Sequence, residues 1–395
     1  MIQDKCYLNA LGILCAAGNN GDEVKRNLQT GNVNLTKSDR YHRGPALPLG
    51  LIEGKLPEIP LTHKKWHSRN NQCAYAALQQ IRTQVDHAIR QFGEHRVAVI
   101  IGTSTSGIAE SEQAIEQWVT TDTLPESYDY GLQEMGAPAQ FIAEIIGARG
   151  PVYGISTACS SGAKALATAR RLLSAGLCDA VIAGGVDTMC QLTVQGFSSL
   201  QAVSEDICNP FSVNRKGINI GEGAGLFLVS RQKIGVELLG AGESSDAHHI
   251  SAPDPAGKGA IQCMQKALED AQLDPTQVDY INLHGTATEL NDQMESVAVN
   301  AIFSTNVLCS STKPFTGHTL GAAGAVEAGI CWLMLADEST QPFMPAHLWD
   351  KQADPELPQL YFAEANWQQP TSINYVLSNS FAFGGNNISL ILGRA

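Results

Sequence analysis

The sequence has no long hydrophobic run, no low-complexity segment and no Gly/Ser-rich linker. A membrane-spanning helix needs about 20 consecutive apolar residues, and a secretory leader needs a basic segment ahead of a shorter apolar one. Neither pattern is present, so we expect no membrane span and no signal peptide. Without a linker, the 395 residues are expected to form one compact α/β enzyme.

Charged residues are also scarce, and basic residues are the scarcer kind. Charged side chains make up 16% of the chain, with 26 Lys and Arg against 39 Asp and Glu, for a net charge of −13. Nucleic-acid-binding surfaces are positive, so this balance argues against a nucleic-acid partner.

Ten cysteines are present, but no pair has the close spacing of a zinc site. Their scatter through apolar stretches indicates reduced core residues rather than disulfides. We therefore expect a cytoplasmic enzyme without a structural metal.

One cysteine lies in a different setting. Cys159 follows a short apolar segment, residues 152–158, and precedes the Ala- and Leu-rich residues 163–173. This pattern predicts a strand that leads directly into a helix. Backbone N–H groups at a helix N-terminus stabilise a thiolate, so we expect a lowered pKa and a nucleophilic role for Cys159. The alternative is a buried structural cysteine, the commoner setting of a free cysteine.

Three later segments repeat the pattern of a predicted strand followed by a polar or glycine-rich turn. They contain His284, then Lys313 with His318, and then the turn at Gly384 and Gly385. Open α/β sheets place their active sites at the carboxyl ends of strands. Together with Cys159, these segments therefore indicate an enzyme.

Four motifs follow one another along the chain. They are Thr-Ala-Cys-Ser-Ser-Gly around Cys159, His-Gly-Thr-x-Thr from His284, Ser-Thr-Lys-x-x-x-Gly-His ending at His318, and Asn-Ser-Phe-x-Phe-Gly-Gly near the C-terminus. In this order they resemble the β-ketoacyl-acyl-carrier-protein synthases of the Cys-His-His class, in the thiolase-fold superfamily. The resemblance extends from Tyr7 to Leu392. It implies an α/β thiolase fold with five αβαβα layers, built from two duplicated halves with mixed sheets.

A weak internal similarity agrees with two halves, because residues 96–105 echo residues 278–288. We predict an N-terminal half over residues 1–236, which contains the nucleophile. A C-terminal half over residues 237–395 would contain the histidines, the lysine and the glycine-rich turn.

The resemblance implies a decarboxylative Claisen condensation in fatty-acid or fatty-acid-like elongation, including polyene and polyketide chains. Cys159 matches the nucleophile that takes the acyl group. His284 and His318 match the pair that holds the malonyl thioester oxygen. Lys313 matches the lysine that orders the site, and we predict Glu295 as its partner. No cofactor is expected, because the phosphopantetheine of acyl carrier protein carries the substrates.

Further positions match groups around the reacting atoms. The backbone N–H groups of Cys159 and Phe383 match the oxyanion hole. Phe381, Phe383 and Gly384 belong to a loop that is expected to gate acyl entry.

The resemblance also implies residues that contact the substrate. Thr286 and Thr288 match the hydroxyls that bind the phosphopantetheine arm, and Ser251 and His249 are predicted to line the same tunnel. Thr105 falls where a residue that gates the acyl pocket is expected.

Acyl carrier proteins are acidic, so an acidic synthase needs a local basic patch to bind one. We predict a docking patch of Lys64, Lys65 and Arg69, with Arg215 and Lys216 as the second candidate. The resemblance implies a homodimer, with a heterodimer with a related subunit as the alternative.

Two relatives of the same fold remain as alternatives. A thiolase would act on coenzyme A thioesters and has a second catalytic cysteine late in the chain, but residues 379–385 contain none. A non-catalytic chain-length factor lacks the nucleophile, whereas Cys159 is present.

Overall fold

The computed structural model describes residues 5–303, 307–337, 339, 343–364 and 372–395, except for the side chains of Leu61 and Lys64. The described strands are β1 Tyr7–Cys15, β2 Thr36–Ser38, β3 Leu47–Leu49, β4 Val97–Gly102, β5 Val152–Ile155, β6 Ala180–Asp187, β7 Gly223–Ser230, β8 Val236–Ser245, β9 Tyr280–Asn282, β10 Leu308–Ser310, β11 Tyr361–Phe362, β12 Tyr375–Phe381 and β13 Asn386–Arg394.

The described α-helices are α1 Gly21–Thr30, α2 Arg69–Gln80, α3 Arg82–Phe92, α4 Ile108–Thr121, α5 Ala137–Ile146, α6 Ser161–Ser174, α7 Gln191–Ser199, α8 Lys258–Ala271, α9 Glu289–Phe303, α10 Lys313–Thr316 and α11 Ala323–Leu335. Short 3-10 turns lie at Leu61–Trp66, Glu94–Arg96, Tyr130–Gln133, Pro275–Gln277 and Leu320–Ala322.

Local sequence explains why these elements form. Apart from Asp187 at the end of β6, the strands β4, β6 and β7 are continuous runs of apolar and small residues. They are buried along their whole length, as expected for strands covered by helices on both faces. α1 begins after Asn20, whose side chain accepts the N–H of Glu23, and it ends at Gly31 in the left-handed conformation.

The two halves of the chain repeat one strand order. It is β5-β4-β6-β7-β1 in the N-terminal half and β10-β9-β12-β13-β8 in the C-terminal half, where β11 is added beyond β10. The first three strands of each order pair in parallel. The fourth strand, β7 in one half and β13 in the other, pairs antiparallel with both of its neighbours. β4 and β9, which lie within the two similar segments, occupy equivalent positions in the two strand orders. The predicted boundary at 236/237 falls at the start of β8.

A short pairing connects the two sheets. Tyr7 pairs with Glu237 and Leu8 with Val236, so the described strands form one continuous sheet of eleven strands beside a separate two-stranded one. The expected mixed sheet in each half is therefore present, but the two sheets share this hydrogen-bonded edge.

Two equivalent helices, α6 after β5 and α11 after β10, pack against each other in the core. An added Cβ at Gly162 would lie 2.8 Å from the Cβ of Ala325, and one at Gly324 would lie 2.7 Å from the Cβ of Ala163. Glycine is therefore required for this contact. The contact brings the start of α6, next to Cys159, against the turn that follows His318.

In the described part of the chain, no helix is both long and apolar enough to span a bilayer.

Candidate active site

Cys159 lies in a tight turn between β5 and α6. Ala158 has a φ of +52°, an unusual conformation for a residue with a Cβ. Ser161 fixes the turn, because its Oγ accepts the N–H of Thr157 at 2.8 Å and donates to the carbonyl of Ala158 at 2.6 Å. The turn directs the Sγ of Cys159 toward its own backbone N–H and that of Phe383, both within hydrogen-bonding reach. These two N–H groups form a site for a developing oxyanion.

His318 lies beside the cysteine. Its Nε2 is 3.1 Å from the Sγ of Cys159, and its Nδ1 accepts the backbone N–H of Leu320 at 3.2 Å. Because Nδ1 is an acceptor, the ring proton lies on Nε2. His318 therefore presents an N–H donor to the cavity.

His284 presents the same N–H donor as His318. Its ring centroid is 5.4 Å from that of His318, with the two rings nearly perpendicular. Its Nδ1 faces the ammonium of Lys313 at 3.4 Å. An ammonium can only donate, so the proton of this ring also lies on Nε2.

Lys313 is buried, and its partner differs from the predicted one. Its ammonium pairs with Glu327 of α11 and also donates to the backbone carbonyl of His284. The predicted pair with Glu295 is wrong. Glu327 is the only charged residue within the apolar residues 323–335, and that isolation is the sequence signal that could have identified it.

Glu295 is buried as well, but it supports the backbone. Its carboxylate accepts the N–H groups of His284 at 2.8 Å and Gly285 at 2.7 Å, and it lies 3.3 Å from the side-chain amide of Asn379. Burial raises the pKa of Glu295 to about 7, against the lowering effect of these backbone donors. Glu295 therefore holds the loop that carries His284.

The pKa of the Cys159 thiol is raised, in contrast to the lowered pKa expected from its position before a helix. Burial raises the pKa of the thiol to about 11, although Lys313 and the N–H groups of Phe383 and Cys159 lower it. Cys159 lies two residues before α6 in an enclosed site, and desolvation exceeds the effect of the helix terminus. This raised pKa favours the protonated thiol near pH 7.

Burial also lowers the pKa of His284 and of His318 well below 6.5, and the charge of Lys313 adds to the effect. Both rings are therefore neutral near pH 7. They can donate a hydrogen bond without adding a positive charge to the site.

Cys159, His284 and His318 have the ligand types of a zinc site, and their ligand atoms lie within 4.8 Å of one another. A metal needs an unprotonated ring nitrogen, however. The hydrogen bonds at both Nδ1 atoms place the protons on the Nε2 atoms. The arrangement favours donation to an oxyanion over metal coordination.

A cavity of about 400 Å³ reaches these three residues. Cys159, His284 and His318 line it, and Thr286, Thr288 and Ser251 line it as well. The Thr286 and Thr288 hydroxyls are 2.9 Å apart. Exposed residues such as Lys216, Leu200 and Leu290 also border the cavity, which connects the buried site with the surface.

Comparison with known proteins agrees with this geometry. Residues 68–234 match the N-terminal domain of the β-ketoacyl synthases, and residues 236–347 match the C-terminal domain. A 3-oxoacyl-[acyl-carrier-protein] synthase 2 of Staphylococcus aureus is 30% identical over 422 aligned residues, covering all of this chain and 99% of the relative. The chain belongs to the β-ketoacyl synthase family.

Two solved structures show the same fold as this synthase. The ketosynthase ApeO, solved in complex with its chain length factor ApeC from Xenorhabdus doucetiae, is 44% identical. The TM-score is 0.94, with coverage of 99% of this chain and 98% of that one. The ishigamide ketosynthase/chain length factor is 25% identical, with a TM-score of 0.88 and full coverage of both chains.

The glycine-rich loop of the synthase closes over the cysteine. Phe383 packs against Phe197 at 5.6 Å between ring centroids, and Phe381 packs against the His284 ring at 6.1 Å. Gly384 has a φ of +85° and donates its N–H to the carbonyl of Ile250 at 2.8 Å. The predicted gate loop is therefore held by α7 and by the segment that contains Ser251.

Two predicted substrate-contacting residues lie elsewhere. His249 is exposed and outside the cavity, and its Nδ1 lies 3.2 Å from the backbone nitrogen of Ser251. Thr105 is buried, but its hydroxyl donates to the carboxylate of Asp187 at 2.7 Å. Thr105 does not line the cavity that reaches Cys159, and its role toward an acyl chain stays a prediction.

In the first predicted docking patch, Arg69 and Lys65 both form ion pairs with carboxylates of this chain. Arg69 binds the buried carboxylate of Glu222, and its guanidinium also donates to the carbonyl of Ile52. Lys65 is exposed but pairs with Glu144 at 3.0 Å. The side chain of Lys64 lies outside the described residues. Arg69 therefore contributes no free charge to the predicted patch, and Lys65 shares its charge with Glu144.

The two residues of the second candidate patch, Arg215 and Lys216, differ in exposure. Arg215 is buried and pairs with Asp354 at 2.6 Å, so it is not a free docking charge. Lys216 has 69% of its side chain exposed, lies 3.7 Å from Asp206 and borders the cavity. Both residues border the cavity, but Lys216 is the one with an exposed side chain.

Proposed function

We propose that this synthase extends an acyl chain by decarboxylative condensation with malonyl-acyl-carrier-protein. The observation that supports this most is the Sγ of Cys159 at the inner end of the cavity. There it lies beside two backbone N–H groups and the Nε2 of His318. A nucleophile, an oxyanion site and neutral donors are the groups that the reaction needs.

In the first step, the sulfur of Cys159 attacks the acyl thioester of a loaded carrier protein. The backbone N–H groups of Cys159 and Phe383 stabilise the tetrahedral oxyanion. The carrier thiol leaves with the proton of the cysteine thiol, and the acyl group stays on the enzyme.

In the second step, malonyl-carrier protein occupies the cavity, and Thr286 and Thr288 bind its phosphopantetheine arm. CO2 leaves as negative charge moves onto the thioester oxygen, where His284 and His318 donate hydrogen bonds. The enolate carbon attacks the acyl carbonyl, and collapse expels the thiolate of Cys159, which takes up a proton. Burial keeps both histidines neutral, and the charge of Lys313 adds to this effect and supplies positive potential.

This proposal needs no resident cofactor. Two features also distinguish the proposed activity from those of a thiolase and of a chain-length factor. Among the described residues, Cys159 is the one cysteine that borders the cavity, which argues against the two-cysteine chemistry of a thiolase. A chain-length factor would have no use for the nucleophile.

We infer that the synthase works with an acidic carrier protein and assembles with a related, non-catalytic subunit. The 44% identical ketosynthase was solved with its chain length factor. In this chain β5 has one described neighbour, β4, and its Tyr153 is exposed. The exposed Trp118 and Val119 of α4 add apolar surface. A homodimer through the same edge is the alternative, and native mass spectrometry of the co-expressed subunits distinguishes them.

The cytoplasm is the proposed location, because all ten cysteines are unpaired, as in a reducing compartment.

The function is tested by supplying acyl-carrier and malonyl-carrier protein, with and without the partner subunit. We expect a 3-oxoacyl-carrier product and one CO2 for each product formed. Thiolytic cleavage of a 3-oxoacyl-coenzyme A, with no carrier-dependent product, would instead identify a thiolase.

A further inference from the structure

Asp187, the last residue of β6, has a fully buried carboxylate that receives hydrogen bonds from two sides. Donors in the turn after β4 are the hydroxyls of Thr103 and Thr105, at 2.6 and 2.7 Å, and the backbone N–H groups of Ser104 and Thr105. The backbone N–H of Gly321 donates to its other oxygen at 2.6 Å. No ion pair of Asp187 occurs within the described residues. Neutral donors alone stabilise this carboxylate.

The contact with Gly321 joins the two halves of the chain. An added Cβ at Gly321 would lie 2.7 Å from the Oδ2 of Asp187, so only glycine allows the carboxylate to come this close. Burial raises the pKa of Asp187, and the hydroxyls of Thr103 and Thr105 oppose this effect.

Gly321 follows a strained residue that contacts a catalytic ring. Leu320 has a φ of +51°, which is unfavourable for a side chain with a Cβ. Its N–H donates to the Nδ1 of His318 at 3.2 Å. A strained turn needs its neighbours to hold it, and the hydrogen bond from the next N–H to Asp187 does so.

We propose that Asp187 is a positioning residue for His318. By binding the N–H of Gly321, Asp187 keeps the N–H of Leu320 on Nδ1 of His318. The imidazole proton then stays on Nε2, the atom that faces Cys159. In the opposite tautomer, Nε2 would be an acceptor and could not stabilise the malonyl enolate. The activity part of this inference rests on the proposed condensation, but the tautomer does not.

The experiment compares Asp187→Asn with Asp179→Asn in the full chain. Asp179 precedes the same strand at its other end, where it pairs with Arg96 and Arg231. It is therefore a matched control for the loss of a carboxylate that supports β6. Thr105→Val removes one donor to Asp187 without changing the carboxylate.

The first readout is the tautomer of His318, from ring ¹⁵N shifts with His318→Gln used for assignment. We expect Nε2–H in the native protein and in Asp179→Asn, and a mixture or the other tautomer in Asp187→Asn. An unchanged Nε2–H in Asp187→Asn would overturn the proposal, whatever the activity.

The second readout is decarboxylation of malonyl-carrier protein. Losing a hydrogen bond to a charged group predicts a fall of about ten- to a hundredfold in kcat for Asp187→Asn, with KM nearly unchanged. Thr105→Val should show a smaller fall in kcat, also with KM nearly unchanged.

If Asp187→Asn does not fold, the Thr105→Val result decides. Full kcat and an unchanged tautomer in Thr105→Val would then contradict the proposal. Failure of the native protein to decarboxylate, with the tautomer as expected, would refute the proposed function alone.

Discussion

The junction after β5 and the junction after β10 occupy equivalent places in the two halves, yet their side chains have different chemical roles. The β5 junction contains Cys159, a nucleophile in a turn with few charges. The β10 junction contains Lys313 and His318, a buried cation and a neutral donor, with Glu327 on the following helix. The halves share one strand order but not one function.

This difference shows why the site needs both halves. Burial leaves the thiol of Cys159 with a pKa of about 11, and Lys313 from the other half is the largest influence that lowers it. The enolate that the histidines would stabilise, in turn, has nothing to attack unless an acyl group is on the cysteine. Packing of α6 against α11 brings the two incomplete junctions together.

The largest effect should follow from removing the nucleophile of the first junction. Cys159→Ala should lower condensation at least about a thousandfold, because no acyl-enzyme forms. Malonyl decarboxylation should remain, because its donors belong to the second junction. Product formation and CO2 release are measured separately, and equal losses of both would contradict this division.

The second junction is tested through its buried ion pair. Lys313→Met leaves the buried carboxyl of Glu327 without its partner, which should cost about 3–5 kcal/mol of unfolding free energy. The Lys313→Met/Glu327→Gln double variant should recover most of that stability but not the rate of decarboxylation. Denaturant unfolding and CO2 release are the measurements. A double variant with native activity would show that Lys313 is structural only.

The raised pKa of Cys159 predicts slow alkylation at neutral pH. The folded pKa of about 11 lies above the ordinary thiol value, so the thiolate fraction rises about tenfold per pH unit from pH 7 to 10. Carbamidomethylation of Cys159 should follow this rise, measured by peptide mass spectrometry against free cysteine as the reference thiol. A plateau below pH 9 would show a thiolate at rest.

The smallest effect concerns the surface, where Lys216 borders the cavity and Lys65 does not. Lys216→Glu should raise KM for carrier-bound substrates about three- to tenfold and weaken its salt dependence, because an exposed charge acts chiefly on association. Lys65→Glu is the matched control and should change KM little. Equal effects of both changes would restore the predicted patch around Lys65.

The sequence was sufficient to predict which residues meet at the centre of the candidate site. Cys159, His284 and His318 each follow a strand in a distinctive motif, and the structure brings all three together. The repeat of the strand order agrees with the similarity between residues 96–105 and 278–288.

The supporting contacts were less predictable, because they depend on distances between segments far apart in the chain. Spacing along the sequence suggested Glu295 as the partner of Lys313, but α11 packing places Glu327 there instead. Similarly, the hydroxyl of Thr105 turns toward Asp187, 82 residues away. The pKa of Cys159 depends on burial, which the helix-start pattern alone does not reveal.

The most direct test of the account is the acyl mass on Cys159 through one turnover. The synthase is loaded from acyl-carrier protein, malonyl-carrier protein is added, and intact-protein mass and CO2 are followed together. We predict one acyl group on the Cys159 peptide that disappears at the rate of CO2 release. Acylation of another cysteine, or CO2 release while the acyl mass stays constant, would contradict a reaction shared between the two junctions.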